Sequence, residues 1–143
     1  MTAKMMNDYP EHDWIGATIT TYHMAYYAAY LAELDRPGVA DGLYGLSLNC
    51  YQSSVLCQAA IVQVRAWADE RDIETVWLKE FKYSDLSEAR AFIDWLEDNN
   101  IHYAWFLSRV GPRTVGGGWF YDSPLFDADG EMTIYGEMYR SGE

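Results

Sequence analysis

The segment RVGPRTVGGGWFYD, residues 109–122, holds the residues whose types best suit anion binding. Arginine side chains make paired hydrogen bonds to phosphate or carboxylate groups, and successive glycine N–H groups can form small anion-binding concavities. The glycines match neither the P-loop nor the G-x-G-x-x-G spacing. They also precede a predicted strand, whereas those motifs lead into a helix. The segment predicts either an anion site or a hairpin loop whose arginines pair with nearby acids. The candidate anion-binding residues are Arg109, Arg113, Gly116, Gly117 and Gly118.

Tyrosine is over-represented, with 12 copies among 23 aromatic residues. A domain of this size cannot bury so many rings fully, so several are expected at the surface, where they suit a protein partner or a stacked purine ring. Tyr44 and Tyr51 flank the second predicted strand, and Tyr44 is a further candidate ligand-binding residue. Four other tyrosines cluster where the first predicted strand meets the first predicted helix: Tyr22, Tyr26, Tyr27 and Tyr30.

Metal and serine-nucleophile motifs are missing from the sequence. The stretch LFDADGEMTIYGE partly matches a calcium loop, but its first and twelfth positions fail, and a β-turn over residues 127–130 is the simpler interpretation. The histidines have no partner at metal-ligand spacing, and G-x-S-x-G is absent. We therefore expect no metal and no cofactor. The three histidines are His12, His23 and His102.

The two cysteines, Cys50 and Cys57, have neither a zinc nor a thioredoxin spacing. They are predicted to be buried reduced thiols of a cytosolic protein, with a disulfide as the alternative. The amino terminus has no apolar segment typical of a signal peptide, and no apolar run reaches about 18 residues. The protein is therefore expected in the cytoplasm, or in the host cytoplasm if it is phage-encoded.

The formal net charge is −12, from 22 acidic and 10 basic residues spread along the whole chain. Most of these carboxylates must face water, so a broadly negative surface is expected. Such a surface repels nucleic-acid phosphates and attracts a basic protein face. The charge therefore excludes direct nucleic-acid binding and favours a basic protein partner, although it can also serve solubility alone.

The apolar pattern predicts one α+β domain over residues 14–143 after a flexible lead-in at 1–13. The final strands follow one another in hairpin order, which predicts a mainly antiparallel sheet with two or three helices on one face, as in a ferredoxin-like fold. A helix over 84–100 begins with a capping box at Asp85 and Glu88. The other predicted elements are a helix at 24–35 and strands at 14–23, 43–51, 74–81, 101–109, 118–122 and 131–139.

Segment 53–70 is ambiguous between helix and strand. Its β-branched residues favour a strand, but its length favours a helix, and the helix is preferred. In that helix one apolar stripe consists of Val55, Ala59, Val62 and Ala66.

The stretch GLYGLSLNCYQ, residues 42–52, resembles the phage-encoded S-adenosylmethionine lyases, as do the chain length and the β-α-β order. The similar residues are Gly42, Leu43, Tyr44 and Gly45, followed by Cys50 and Tyr51. The resemblance implies a homotrimer with a site between subunits, lined by a tyrosine and glutamates, and it makes Tyr51 the catalytic candidate. The acidic partner has no obvious counterpart, because the first carboxylate after Tyr51 is Asp69.

Three functions follow from these features. The first is a small acidic domain that engages a basic surface on another protein, such as a nucleic-acid-binding surface, as a phage or plasmid counter-defence inhibitor would. The second is an S-adenosylmethionine lyase-like enzyme with Tyr51 at its site. The third is a virion or assembly component whose aromatic residues pack against copies of itself.

Overall fold

The computed structural model describes residues 6, 8, 9, 11–36, 43–106 and 123–141. Strands and helices alternate along this part of the chain. The strands are β1 (Trp14–Thr20), β2 (Leu43–Cys50), β3 (Thr75–Phe81) and β4 (His102–Trp105). The helices are α1 (Met24–Leu34), α2 (Ser54–Asp69), α3 (Leu86–Asp98) and α4 (Ile134–Ser141), and a 3-10 turn over Thr21–His23 precedes α1.

The four strands form one parallel sheet in the order β1-β2-β3-β4. The expected mainly antiparallel, ferredoxin-like α+β fold is therefore wrong, and the fold class is α/β. A helix separates β1 from β2, β2 from β3, and β3 from β4, and such crossovers join parallel neighbours. Right-handed crossovers between strands in sequential order place all the helices on the same face of the sheet.

One row of strand residues shows directly which face the helices cover. Cys50, Phe81 and Trp105 are register partners on neighbouring strands and so point to the same side. Cys50 is bonded to Cys57 of α2, the Phe81 ring lies 5.4 Å from the ring of Phe92 in α3, and Trp105 stacks on Tyr135 of α4. These three helices do not cover the opposite face of the sheet, which we call the open face.

The core lies between the sheet and the helices. Leu46, Leu48, Val76 and Leu78 of β2 and β3 are fully buried there. Each such side chain stabilises the fold by roughly 1.5–3 kcal/mol relative to an exposed one. The helices contribute their own buried rows: Tyr27 and Leu31 from α1, Ile61 and Val64 from α2, and Phe92 and Leu96 from α3.

Helix α2 confirms the helical interpretation of segment 53–70, but the helix buries a different face from the apolar stripe seen in the sequence. The buried residues are Cys57, Ile61, Val64 and Ala68. Val55 and Val62 of the stripe are 70% and 58% exposed. The capping residue of α3 is confirmed, since the Asp85 carboxylate accepts the Glu88 N–H at 2.8 Å.

The segment after β4 differs from its prediction. Residues 131–139, expected as an edge strand, contain most of α4, which packs Tyr135 and Tyr139 against Trp105. The turn at 127–130 is confirmed, because Phe126 and Met132 pair as an antiparallel bridge around it. The predicted hairpin strand at 118–122 lies outside the described residues. None of the described helices combines the length and the apolar composition that a membrane crossing requires.

Candidate functional site

The carboxyl ends of the four strands meet at one edge of the sheet, which we call the carboxyl edge. In parallel sheets built from βα units, ligand sites form at this edge because the loops after successive strands converge there. Tyr51 follows β2 directly, Glu80 is the penultimate residue of β3, and Phe106 follows β4. The structure therefore brings residues of three strand ends together.

A β-bulge in β3 sets the direction of the Glu80 side chain. Leu48 of β2 pairs with Leu78, but the next residue, Asn49, pairs with Glu80, so Lys79 is an extra residue in the ladder. Regular pairing would match Glu80 with Cys50, which faces the helices. The bulge instead places Glu80 beside Asn49 on the open face, and bulges next to active sites often re-aim a side chain in this way.

The Tyr51 hydroxyl donates a hydrogen bond to Oε2 of Glu80. Burial, this hydrogen bond and the negative charge of Glu80 together raise the pKa of the Tyr51 phenol well above its usual range. Tyr51 is therefore a neutral hydrogen-bond donor at physiological pH. Its hydroxyl can orient one carboxylate oxygen of Glu80, but it is a poor base or nucleophile.

Two aromatic residues contact Tyr51. The Phe106 ring meets the Tyr51 ring edge-on, with centroids 5.6 Å apart. The Tyr22 hydroxyl donates to the Tyr51 carbonyl oxygen at 3.3 Å. Tyr22 and Tyr26, which follow β1, are 60% and 70% exposed. The carboxyl edge thus combines a carboxylate with exposed flat apolar surfaces.

Asn49 adds an amide to the same row. It pairs with Thr20 on one side and with Glu80 on the other. Its Oδ1 atom is buried and has no hydrogen-bond partner. Buried polar atoms without a partner are rare in native proteins, so each one calls for an explanation.

A disulfide joins Cys50 to Cys57. The prediction of reduced thiols is therefore wrong, although both residues are buried as expected. The bond ties the end of β2 to the first turn of α2, and the Thr21 hydroxyl contacts the Cys50 sulfur at 3.4 Å. Because Tyr51 is the next residue, the disulfide fixes the chain that carries the site tyrosine.

The structure separates the other sequence candidates from this site. Tyr44 lies near the start of β2, at the opposite edge of the sheet, where its carbonyl accepts the Thr75 hydroxyl at 3.0 Å. Arg109, Arg113, Gly116, Gly117 and Gly118 lie outside the described residues. Sequence reasoning missed Glu80, whose signal was an acidic residue at the end of the predicted strand 74–81.

A parallel sheet in sequential order with helices on one face is the arrangement found in part of a βα-barrel. No family model and no curated protein matches this sequence. A solved structure does match: the crystal structure of a GH128 (subgroup III) curdlan-specific exo-β-1,3-glucanase from Blastomyces gilchristii in complex with glucose. The TM-score is 0.70 at 17% sequence identity, over 98% of this chain and 59% of that chain. The chain thus spans well under two thirds of the length of the glucanase.

This match and the site correct the functional expectations. The resemblance to S-adenosylmethionine lyases is wrong, because the solved structure that shares this fold is a GH128 exo-β-1,3-glucanase. The interpretation as an acidic counter-defence inhibitor rested on the distributed charge, the many aromatic residues and the lack of a catalytic motif, and it is wrong on the same ground. The virion or assembly alternative likewise finds no support in this match.

Proposed function

We propose that this protein binds a saccharide at the carboxyl edge of its sheet and takes part in hydrolysing a glycosidic bond, with Glu80 as a catalytic carboxylate. The observation that carries the proposal is the bulge in β3, which turns Glu80 to the open face beside Asn49, where Tyr51 hydrogen-bonds it. The fold shared with a β-1,3-glucanase supports a β-linked glucan as the first substrate class to test.

The chemistry of glycoside hydrolysis suits this arrangement. Most glycoside hydrolases use two carboxyl groups: one acts as nucleophile or base at the anomeric centre, and the other protonates the leaving oxygen. Glu80 is assigned the first role, because the hydrogen bond from Tyr51 fixes the orientation of its carboxylate at the carboxyl edge. Glu80 is the single acidic residue within the four strands, so the proton donor must come from outside them.

The aromatic residues supply the binding surface in this proposal. A pyranose ring has one flat face of C–H groups, which packs against aromatic rings, while its hydroxyls need polar partners. Tyr22 and Tyr26 present exposed rings, and the hydroxyl of Thr20, the amide of Asn49 and the carboxylate of Glu80 belong to one register row. A ring bound over this row would satisfy both requirements.

The disulfide bears on where the protein works. Stable disulfides persist in oxidising compartments and are rare in the reducing cytosol. We therefore propose an extracytoplasmic site of action in place of the cytoplasmic one expected from the sequence.

The test is hydrolysis of defined oligosaccharides by the purified protein. We expect new reducing ends from β-1,3-linked glucose oligomers, and weaker or no release from α-linked oligomers of the same length. Isothermal calorimetry with the same oligomers measures binding separately from turnover. Neither binding nor release with any β-linked oligomer would overturn the proposal.

A further inference from the structure

We propose that the amino edge of the sheet, where the strands begin, carries a second saccharide-binding site that anchors the glucan away from Glu80. The choice of a glucan as the ligand rests on the proposed function. The existence of a polar ligand site rests on the cavity at this edge and on the groups that line it.

The amino-edge cavity has a volume of about 440 Å³. Ligand pockets in proteins typically measure roughly 300–1,000 Å³. The lining residues come from α2, from the starts of β2, β3 and β4 and from the turn after α3. Apart from the buried Thr75, they include Tyr44, Arg65, Glu74, Asn99, Asn100 and His102.

Hydrogen bonds and ring stacking fix the inner part of the cavity. The Trp77 indole N–H donates to the Thr75 hydroxyl at 3.0 Å, and that hydroxyl donates to the Tyr44 carbonyl oxygen at 3.0 Å. The exposed His102 stacks on the Trp77 ring, with centroids 4.4 Å apart and planes 18° apart. A ligand that binds here meets groups that are already positioned, which lowers the entropic cost of binding.

Arg65 and Glu74 bring opposite charges to the same cavity without neutralising each other. An Arg65 N–H donates to the backbone carbonyl of Glu74 at 3.0 Å. Within the described residues, neither side chain forms an ion pair. Because a guanidinium has five N–H donors, this one bond leaves others for a ligand. The two side chains therefore offer a charged donor and a charged acceptor with no net charge.

The turn after α3 adds two amides. The Asn99 side-chain N–H donates to the Trp95 carbonyl at 2.8 Å, which fixes the amide. Asn100 has a φ of 52°, in the left-handed region that asparagine tolerates better than most residues. Its side-chain amide makes no hydrogen bond to any other described residue, so both its donor and its acceptor groups are available.

This combination of groups suits a neutral saccharide better than an anion. A hydroxyl group both donates and accepts hydrogen bonds, so sugar hydroxyls can pair with the guanidinium, the amides and the carboxylate alike. An anion would be attracted by Arg65 but repelled by Glu74. The formal net charge of −12 also disfavours an anion.

The amino-edge cavity and the catalytic carboxylate lie at opposite ends of β3. Thr75 is the first residue of this strand and Glu80 is the penultimate one. At about 3.3 Å per residue of a parallel strand, they are roughly 17 Å apart. Two sites at this separation can hold different stretches of one polymer, which raises the effective concentration of glucan at the carboxyl edge.

The test maps saccharide binding on the full-length chain by the side-chain N–H resonances, with Glu80→Gln introduced to prevent turnover of the ligand. During titration with a β-1,3-linked glucose trimer, we expect the resonances of Arg65, Asn99 and Asn100 to shift and to saturate together. The control is the Arg90 Nε–H, which pairs with Asp94 outside the cavity and should not shift.

Two variants in the same background test which groups bind the trimer. Arg65→Ala should weaken binding at the amino edge by roughly 10-fold or more, because it removes a charged donor. Asn100→Gly removes an amide without straining the turn, since glycine accepts a positive φ, and should weaken binding by roughly 2- to 10-fold. The matched control is Asp72→Gly, which changes a residue with a φ of 53° in the turn after α2, outside the cavity lining, and should leave the affinity unchanged.

No shift of the amino-edge resonances at millimolar trimer would overturn the inference, as would unchanged affinity in both Arg65→Ala and Asn100→Gly. Shifts caused by inorganic phosphate and not by the trimer would also overturn it, because they define an anion site. Hydrolysis by the wild type is measured separately. Amino-edge binding without hydrolysis refutes the proposed function and not the second site, whereas hydrolysis without amino-edge binding does the reverse.

Discussion

The hydroxyl of Tyr51 and the carboxylate of Glu80 are joined by a hydrogen bond that crosses from the end of β2 to the bulged end of β3. The two residues are 29 positions apart in the sequence. A second pair of the same composition, Tyr103 and Glu97, lies away from the carboxyl edge, with its oxygens 2.6 Å apart. The chain therefore contains its own control for any effect attributed to a tyrosine–carboxylate hydrogen bond.

Removal of the Tyr51 hydroxyl should slow turnover more than it weakens binding. A hydrogen bond to a charged group contributes about 1.5–3 kcal/mol, so Tyr51→Phe should lower kcat by roughly 10- to 100-fold with little change in KM. Tyr103→Phe removes the equivalent bond to Glu97 and should leave kcat unchanged. Equal losses of activity in the two variants would contradict the role assigned to Tyr51.

Tyr51 should remain un-ionised in the folded protein well above pH 10. Burial and the hydrogen bond to Glu80 raise its pKa from the ordinary value of 10.0. Because the folded pKa exceeds the unfolded one, this stabilisation is complete below pH 10 and is lost as the pH rises further.

Ultraviolet titration of phenolate formation checks this directly. Tyr51→Phe should leave the native absorbance step near pH 10 unchanged and should reduce the step measured in denaturant. A native step near pH 10 that shrinks in the variant would show that the Tyr51 phenol titrates normally.

Loss of the disulfide should affect both stability and turnover. The bond between Cys50 and Cys57 closes a short loop, for which chain entropy gives a stabilisation of about 2 kcal/mol. The double variant Cys50→Ala/Cys57→Ala should unfold at correspondingly lower urea concentration. It should also lower kcat, because Tyr51 follows Cys50 directly.

Reductant provides the control for this experiment. It should reproduce both effects in the wild type and have no effect on the double variant. Unfolding midpoints that are the same with and without reductant in the wild type would contradict a stabilising disulfide.

A larger side chain at Gly45 is expected to destabilise the fold. A Cβ atom there would lie 2.5 Å from the Thr75 hydroxyl oxygen and 3.0 Å from a carbon of the Trp77 ring. Overpacking of this kind costs about 1–3 kcal/mol, so Gly45→Ala should lower the free energy of unfolding by that amount. Ala104→Ser, on the same face but exposed, should change it by less than about 0.5 kcal/mol. Equal urea midpoints for the two variants would show that the open face is loosely packed at Gly45.

Local sequence patterns predicted most elements but not how the elements pair. Strand β3 and helix α3 carry clear signals: β-branched and aromatic residues in the first, and the Asp85 cap in the second. Strand direction depends on where each crossover returns, and that information is absent from periodicity. Residues 131–139, which were predicted as a strand, show the same limit. The aromatic residues Tyr135 and Tyr139 favour a strand, but the segment contains most of α4, and both rings pack against Trp105.

The site was predictable only in part. Tyr51 was singled out through a resemblance that proved wrong, yet it lies at the carboxyl edge. Glu80 was hidden because regular alternation would turn it toward the helices, and the extra residue Lys79 that re-aims it has no sequence signature. The spacing of Cys50 and Cys57 allowed both thiols and a disulfide, and the packing of β2 against α2 decides between them.

The most direct test of the account compares turnover by Glu80→Gln and Glu97→Gln on a β-1,3-linked glucose oligomer. Both changes replace a tyrosine-bonded carboxylate with an amide of the same size. We expect Glu80→Gln to lose roughly a hundred- to ten-thousandfold in kcat, because an amide can neither accept a proton nor act as a nucleophile in place of a carboxylate, while Glu97→Gln keeps wild-type turnover. Wild-type turnover in Glu80→Gln would contradict the assignment of Glu80 as a catalytic carboxylate.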